Sequence, residues 1–181
     1  MKQITASVVG FSGSRSLSSA WTPLVRRVVE QVIVSGASVL VGCAAGADAL
    51  VRASCPGARV FSARGLFPAL PVRQALAARS VALVRALVPS GQLVAFTSGP
   101  CPAYIFPARK WESGMPPSGT WSTLALAAGL GLPAFLFWCT PGPPALPDWP
   151  CWSWSPVAAG PFAGSWRLGL SRPAAGQEEL F

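Results

Sequence analysis

Short apolar runs alternate with longer segments of mixed polarity along the first two-thirds of the chain. The apolar runs predict strands, and the segments with apolar residues at helical spacing predict helices. The predicted strands are residues 4–9, 38–41, 59–62, 92–96 and 133–138. The predicted helices are residues 18–34, 47–53, 72–87 and 120–130. Because apolar strands alternate with helices, we expect an α/β fold of three layers with a mainly parallel sheet of about five strands.

This pattern ends after Cys139, where the sequence becomes rich in proline and tryptophan. Residues 140–170 show no helical or strand period, so we expect an extension that packs on the first domain, residues 1–139. The extension contains a group of tryptophans, Trp149, Trp152 and Trp154. These indoles either form a platform for stacking bases or pack against the domain, and packing is favoured because exposed tryptophan is costly. Residues 171–181 are expected to form a flexible tail.

The chain of 181 residues is strongly basic, with fourteen Lys and Arg residues against six Asp and Glu residues. Twelve of the fourteen are arginines. This balance favours an anionic partner such as a nucleic acid or a nucleotide, because a guanidinium group binds phosphate through two hydrogen bonds. The alternative is a GC-rich genome, which raises the content of arginine, alanine, glycine and proline without selection for binding.

Histidine is absent, and the five cysteines form no CxxC pair. Zinc sites with histidine ligands and Ser–His or Cys–His catalytic pairs are therefore excluded. The residues indicate neither a metal nor a cofactor. The first apolar stretch is too short for a signal peptide or a membrane span, so we expect a cytoplasmic protein without a membrane partner.

Small and polar residues follow the predicted strands at the edge where parallel strands end. Ligands of open parallel sheets bind at this edge, and backbone N–H groups of turns and helix N-termini bind anions there. After the first strand, Gly13 permits close backbone approach, Ser14 offers a hydroxyl and Arg15 a forked cation. The turn Gly42–Gly46 follows the second strand. The turn before the last predicted helix contributes Ser118, Gly119 and Thr120.

Four further charged residues complete the predicted phosphate site. Asp48 follows the second turn, where it either caps the helix or orients a ribose hydroxyl, and capping is favoured. Arg79 lies on a predicted helix that runs toward the same edge. Arg109 and Lys110 lie on a long loop and are expected to act as auxiliary cations. The combined set predicts a site that holds phosphate.

Four segments of the chain, taken in order, resemble the DprA/LOG-like Rossmann superfamily, the SLOG group. The segments are GSRSLS at 13–18, VGCAAGADAL at 41–50, ARSVALVRAL at 78–87 and PSGTWSTLALAAGLGLPAFLF at 117–137. The resemblance spans about residues 4–138. It implies a Rossmann-like fold that binds nucleotides or nucleic acid.

The two best-known branches of this superfamily imply different functions. LOG-type enzymes release the base from nucleoside monophosphates and carry a PGGxGTxxE signature, where this chain has Thr123 in place of the glutamate. Glu112, in the preceding loop, is a candidate to replace that glutamate, but nothing in the sequence indicates where it lies. SGTWST at 118–123 looks closer to the DprA branch, which binds single-stranded DNA. The resemblance thus implies that the chain binds nucleic acid or a nucleotide in DNA replication, recombination or repair. A LOG-like hydrolase or transferase and a nucleotide-signal sensor stay open as alternative functions. A homodimer also stays open, because parallel-sheet domains of this kind often pair through their helices.

The chain ends in SRPAAGQEELF, and its last five residues resemble the short peptide by which bacterial proteins dock on the sliding clamp. In this interpretation Leu180 and Phe181 fill an apolar pocket, and the Gln177 amide forms hydrogen bonds. A chance C-terminal string is the alternative. If the peptide is genuine, the clamp is a partner and ties the chain to replication or repair.

Overall fold

The structure is a computed structural model and describes residues 6–109 and 119–170. Its strands are β1 (Val8–Gly13), β2 (Ser38–Gly42), β3 (Arg59–Phe61), β4 (Gln92–Thr97), β5 (Ala134–Trp138), β6 (Trp152–Pro156) and β7 (Trp166–Leu170). Its helices are a 3₁₀ helix (Ser19–Trp21), α1 (Thr22–Val34), α2 (Ala47–Ser54), α3 (Ala63–Leu66), α4 (Val72–Arg85) and α5 (Thr120–Gly129). Within these ranges, no helix has the length and apolar character needed to cross a membrane.

All seven strands belong to one sheet with the order β3-β2-β1-β4-β5-β7-β6. The first five strands in sequence pair in parallel, and β6 and β7 pair in antiparallel fashion at one edge. The predicted α/β fold with a mainly parallel sheet is therefore confirmed. The order reverses between β1 and β4, because β2 and β3 extend the sheet on one side of β1 and β5 extends it on the other.

Each face of the parallel strands is covered by helices, as their apolar sequences predict. On one face, Phe11 of β1 packs with Val28 of α1 and Val51 of α2. On the other face, Leu83 of α4 and Leu124 of α5 belong to the second core. Every residue of α5 from Thr120 to Ala128 is buried, which explains why this helix has no polar side.

The observed boundaries differ most from prediction at β1, which begins at Val8 rather than residue 4 and continues to Gly13. Gly13 still pairs with Phe96 of β4, so the strand extends through small residues that an apolar pattern does not mark. The predicted helix 18–34 begins four residues later, at Thr22, and is preceded by the 3₁₀ helix; the other predicted strands and helices lie within two residues of their observed bounds. The short helix α3 was not predicted.

The segment 140–170 contains two strands, although its pattern predicts none. In β6 the residues Trp152 and Trp154 alternate with serines, which is the period of a half-buried strand, but proline and tryptophan dominate the composition around it. The rings of Trp149 and Trp154 contact Trp121 of α5 edge to face, with centroids 6.2 and 6.3 Å apart. The packing alternative for these two indoles is thus the one observed.

Candidate functional site

A cleft of about 350 Å³ opens at the carboxyl ends of β1 and β4, where the strand order of the sheet reverses. This switch point is where open α/β sheets bind ligands, because the loops from neighbouring strands diverge there. The cleft brings together seven of the predicted residues: Gly13, Ser14, Arg15, Asp48, Arg79, Gly119 and Thr120. Four segments distant in sequence therefore meet at one site.

The loop after β1 is held in place by its backbone and by the hydroxyl of Ser14. The Ser14 N–H donates to the carbonyl of Phe96 over 2.8 Å. Ser98, at the end of β4, donates its hydroxyl to Ser14 Oγ over 2.6 Å, and the Ser16 N–H lies 3.3 Å from the same oxygen. These bonds fix the direction in which Arg15 leaves the loop.

The turn after β2 packs beneath the loop after β1 and supports it. Gly46 has φ of +67°, and a Cβ there would overlap the backbone of Ser14 and Arg15. A Cβ at Gly13 would overlap Ala47 at the start of α2. The Ala47 N–H donates to the Ser14 carbonyl over 3.0 Å, so the first donor of α2 is bonded to the β1 loop.

Asp48 and Arg79 form a buried ion pair in the wall of the cleft. Arg79 Nη1 donates to Asp48 Oδ2 over 2.9 Å, and the two side chains are 8% and 3% exposed. The Ala44 N–H lies 3.3 Å from the same carboxylate oxygen. Gly42 leaves the space that the guanidinium occupies, because a Cβ there would overlap Arg79 Nη1. The Asp48 side chain therefore does not cap the first turn of α2; it holds Arg79 and the Ala44 N–H of the turn after β2. Its contact with a ribose hydroxyl stays a prediction.

Arg15 is the exposed cation of the cleft. Its side chain is open to solvent and forms no hydrogen bond or ion pair with any residue that the structure describes. Arg79 differs, because Asp48 offsets its charge, although its buried Nε–H has no partner among the described residues. Among the cleft residues that the structure describes, an incoming anion therefore meets one free guanidinium, at Arg15, and one that is already paired.

The N-terminus of α5 faces the cleft beside the loop after β4. Its N-cap is Gly119, and Thr120 and Trp121 follow as the first residues of the helix. N–H groups in a first helical turn have no carbonyl of the same helix to accept them, and they carry the positive end of the helix dipole. Trp121 Nε1 donates to the carbonyl of Gly99 over 2.9 Å and fixes this helix end against the β4 loop.

Thr123, at the position where the LOG pattern has glutamate, also lines the cleft. It is buried, and its hydroxyl donates to the carbonyl of Gly119 over 3.0 Å. The threonine therefore braces the first turn of α5. Among the described residues, the only carboxylate that lines the cleft is the paired Asp48.

Three of the predicted residues that the structure describes, Arg109, Gly42 and Gly46, do not line this cleft. Arg109 is exposed and follows Ala108, which lies where a Cβ on Gly129 would project, at the far end of α5. That end is about 15 Å from the first turn of the same helix. Gly42 lies beneath Arg79 rather than on the surface of the cleft, and Gly46 lies beneath the β1 loop. Outside the described residues are Lys110, Ser118, Gln177, Leu180 and Phe181.

Sequence reasoning missed several hydroxyl-bearing residues that line the cleft: Ser12, Ser80, Thr97 and Ser98. Thr97 and Ser98 are the first residues after the predicted strand 92–96, so the rule that selected residues after the first strand could have selected them also. The adjoining thiol of Cys101 is a poor nucleophile, because burial raises its pKa to about 11.

No family model, curated protein or solved structure matches the chain. The resemblance to the DprA/LOG-like superfamily therefore stays a prediction from the four sequence segments.

Proposed function

We propose that the chain is a DprA-like protein that binds the phosphate of a nucleotide or of single-stranded nucleic acid in the switch-point cleft. The observation that carries this proposal is the meeting of the exposed Arg15 with the N-terminus of α5 at the point where the strand order reverses. A guanidinium, first-turn N–H groups and hydroxyls are the donors with which proteins bind phosphate.

Each proposed contact has a distinct role. Arg15 supplies an exposed positive charge, and the N–H groups of Thr120 and Trp121 supply backbone donors. The Thr120 hydroxyl has no hydrogen-bond partner among the described residues and adds a third kind of donor. Arg79 contributes its Nε–H and shapes the wall, while its charge is held by Asp48.

The cleft chemistry supports binding in preference to cleavage of a glycosidic bond. Hydrolysis of such bonds uses a carboxylate beside the reacting carbon. The carboxylate available among the cleft residues that the structure describes is Asp48, and it is buried against Arg79. We therefore place this chain with binding modules, and release of free base from nucleoside monophosphates would contradict that assignment.

The proposal predicts that Arg15→Ala weakens binding of a labelled oligothymidylate and of thymidine monophosphate by about 10- to 100-fold, the usual cost of losing a charged hydrogen bond. The matched control is Arg85→Ala, which removes the same charge from an exposed position at the opposite end of α4. Fluorescence anisotropy measures the oligonucleotide, and competition measures the mononucleotide. Equal affinities for the two variants would remove Arg15 from the site.

We further propose that the C-terminal peptide recruits the protein to the bacterial sliding clamp, which connects phosphate binding with DNA replication, recombination or repair. A pull-down with purified clamp is expected to retain the full chain and to lose a chain that lacks residues 177–181. The Leu180→Ala/Phe181→Ala variant keeps the length of the tail, so it separates loss of the two apolar side chains from shortening of the tail. Equal recovery of clamp with all three chains would remove the link to replication.

A further inference from the structure

A second cavity of about 580 Å³ lies on the same edge of the sheet as the switch-point cleft. It is formed by the loop after β2, the short helix α3 and the first two turns of α4. Cys43, Arg64, Phe67, Val72 and Leu76 are among the residues that line it. The predicted phosphate site does not include this cavity.

The two cavities are direct neighbours. Cys43 lines the second cavity and Ala44, the next residue, lines the switch-point cleft. On α4, Leu76 lines the second cavity, and Arg79 and Ser80 line the cleft one turn later. One helical turn rises about 5 Å, so a ligand that fills the cleft can continue into the second cavity with little additional length.

The linings of the two cavities differ in chemistry. Hydroxyl groups and backbone dominate the cleft, whereas the second cavity is lined mainly by apolar side chains. Around it Leu66 is 49%, Leu70 38% and Val72 67% exposed, so apolar surface is open to solvent here. Phe67, which is half-buried, supplies an aromatic ring. An aromatic ring in an apolar cavity is the type of surface on which bases stack.

Two exposed arginines flank the second cavity. Arg64 lies on α3 and Arg73 lies in the first turn of α4, and neither forms a hydrogen bond or ion pair within the described part of the chain. The exposed carboxylates of that part are Glu30 on α1 and Asp148 before β6. This edge of the sheet therefore presents unpaired positive charge beside an apolar cavity.

We propose that this edge binds single-stranded nucleic acid across both cavities. One phosphate lies in the switch-point cleft at Arg15, the base of an adjoining nucleotide stacks on Phe67 in the second cavity, and flanking phosphates contact Arg64 and Arg73. The proposal rests on the proposed phosphate-binding function and deepens it by making the ligand a strand rather than a free nucleotide.

The test compares a labelled oligothymidylate of about twelve nucleotides with thymidine monophosphate on the full chain. In Arg64→Ala/Arg73→Ala, we expect oligothymidylate affinity to fall at least about tenfold, and the slope of log affinity against log salt to flatten by about 1.4, since each single-strand phosphate contact contributes about 0.7. Affinity for thymidine monophosphate is expected to stay within about twofold. Arg26→Ala/Arg85→Ala is the control with the same charge and should retain the affinity and slope of the unmodified protein.

The aromatic contact is tested separately with Phe67→Ala and Phe67→Leu. The second variant keeps an apolar side chain, so a folding defect is less able to mimic loss of binding. Both variants are expected to lose about fivefold or more in oligothymidylate affinity, because leucine keeps the apolar volume but not the ring. Full affinity of Phe67→Leu and of Arg64→Ala/Arg73→Ala, with Arg15→Ala still impaired, would overturn this inference and leave phosphate binding intact. Absence of binding to both ligands by the unmodified protein would overturn both proposals.

Discussion

Gly42 determines the geometry of the cleft by having no side chain. The Arg79 guanidinium occupies the space where a Cβ would lie and reaches Asp48 on the neighbouring helix. Both partners are buried, so each charge depends on the other for compensation. The pair also connects α4 to α2 across the carboxyl end of β2, and through Asp48 it holds Ala44 of the turn after β2.

We predict that Arg79→Ala and Asp48→Ala each lower the free energy of unfolding by about 3–5 kcal/mol, because each leaves a buried charge without its partner. The double variant should lose less stability than the two single losses added together, by about 1 kcal/mol or more, because it leaves no uncompensated buried charge. Urea unfolding of the four proteins measures this coupling. Arg85→Ala is the control for loss of an exposed arginine and should stay within about 0.5 kcal/mol of the unmodified protein. Strictly additive losses would show that the pair does not act as a unit.

Local chemistry was predictable at individual residues, but long-range pairing was not. Ser14 and Arg15 lie in the run of small and polar residues after the first apolar stretch, so their position near the carboxyl end of the first strand could be derived from the chain alone, although the strand extends further than predicted, to Gly13. The partnership of Asp48 with Arg79 spans 31 residues and depends on the packing of two helices. The sequence therefore indicated that Arg79 reaches the edge, but it could not indicate that a carboxylate already holds it.

At the scale of elements, the parallel strands were predictable because helices cover both of their faces. Such strands are continuous apolar runs, and the glycines and serines at their ends mark the turns. β6 was missed because an edge strand of alternating tryptophan and serine, preceded by prolines, does not resemble a buried run. Arg109 was misjudged for a related reason: its loop passes the far end of α5, and no local pattern records the path of a long loop.

At the scale of the whole molecule, the loops at the carboxyl ends of the parallel strands form an edge of the sheet that differs in chemistry from the opposite edge. The carboxyl ends of β1, β2, β3 and β4 lead into the loops that bear Arg15, Arg64 and the two cavities. The opposite end of the parallel strands is reached by the C-termini of the helices. Binding of a polyanion is therefore expected along one edge. Arg85 lies at the opposite end of the strands, which is why Arg85→Ala serves as the control.

The same packing separates the cysteines into buried and accessible groups. Cys139 follows β5 in the core, and burial raises its pKa to about 12, whereas Cys151 is exposed in the turn before β6. Since the thiolate is the reactive form, very little of Cys139 is ionised at pH 8. Short treatment of the folded protein with iodoacetamide at pH 8, followed by peptide mapping, should label Cys151 and leave Cys139 unmodified. In urea both should be labelled, and Cys151→Ser should remove the fast reaction. Labelling of Cys139 as fast as Cys151 in the folded protein would contradict the burial of Cys139 in the core between the sheet and α1.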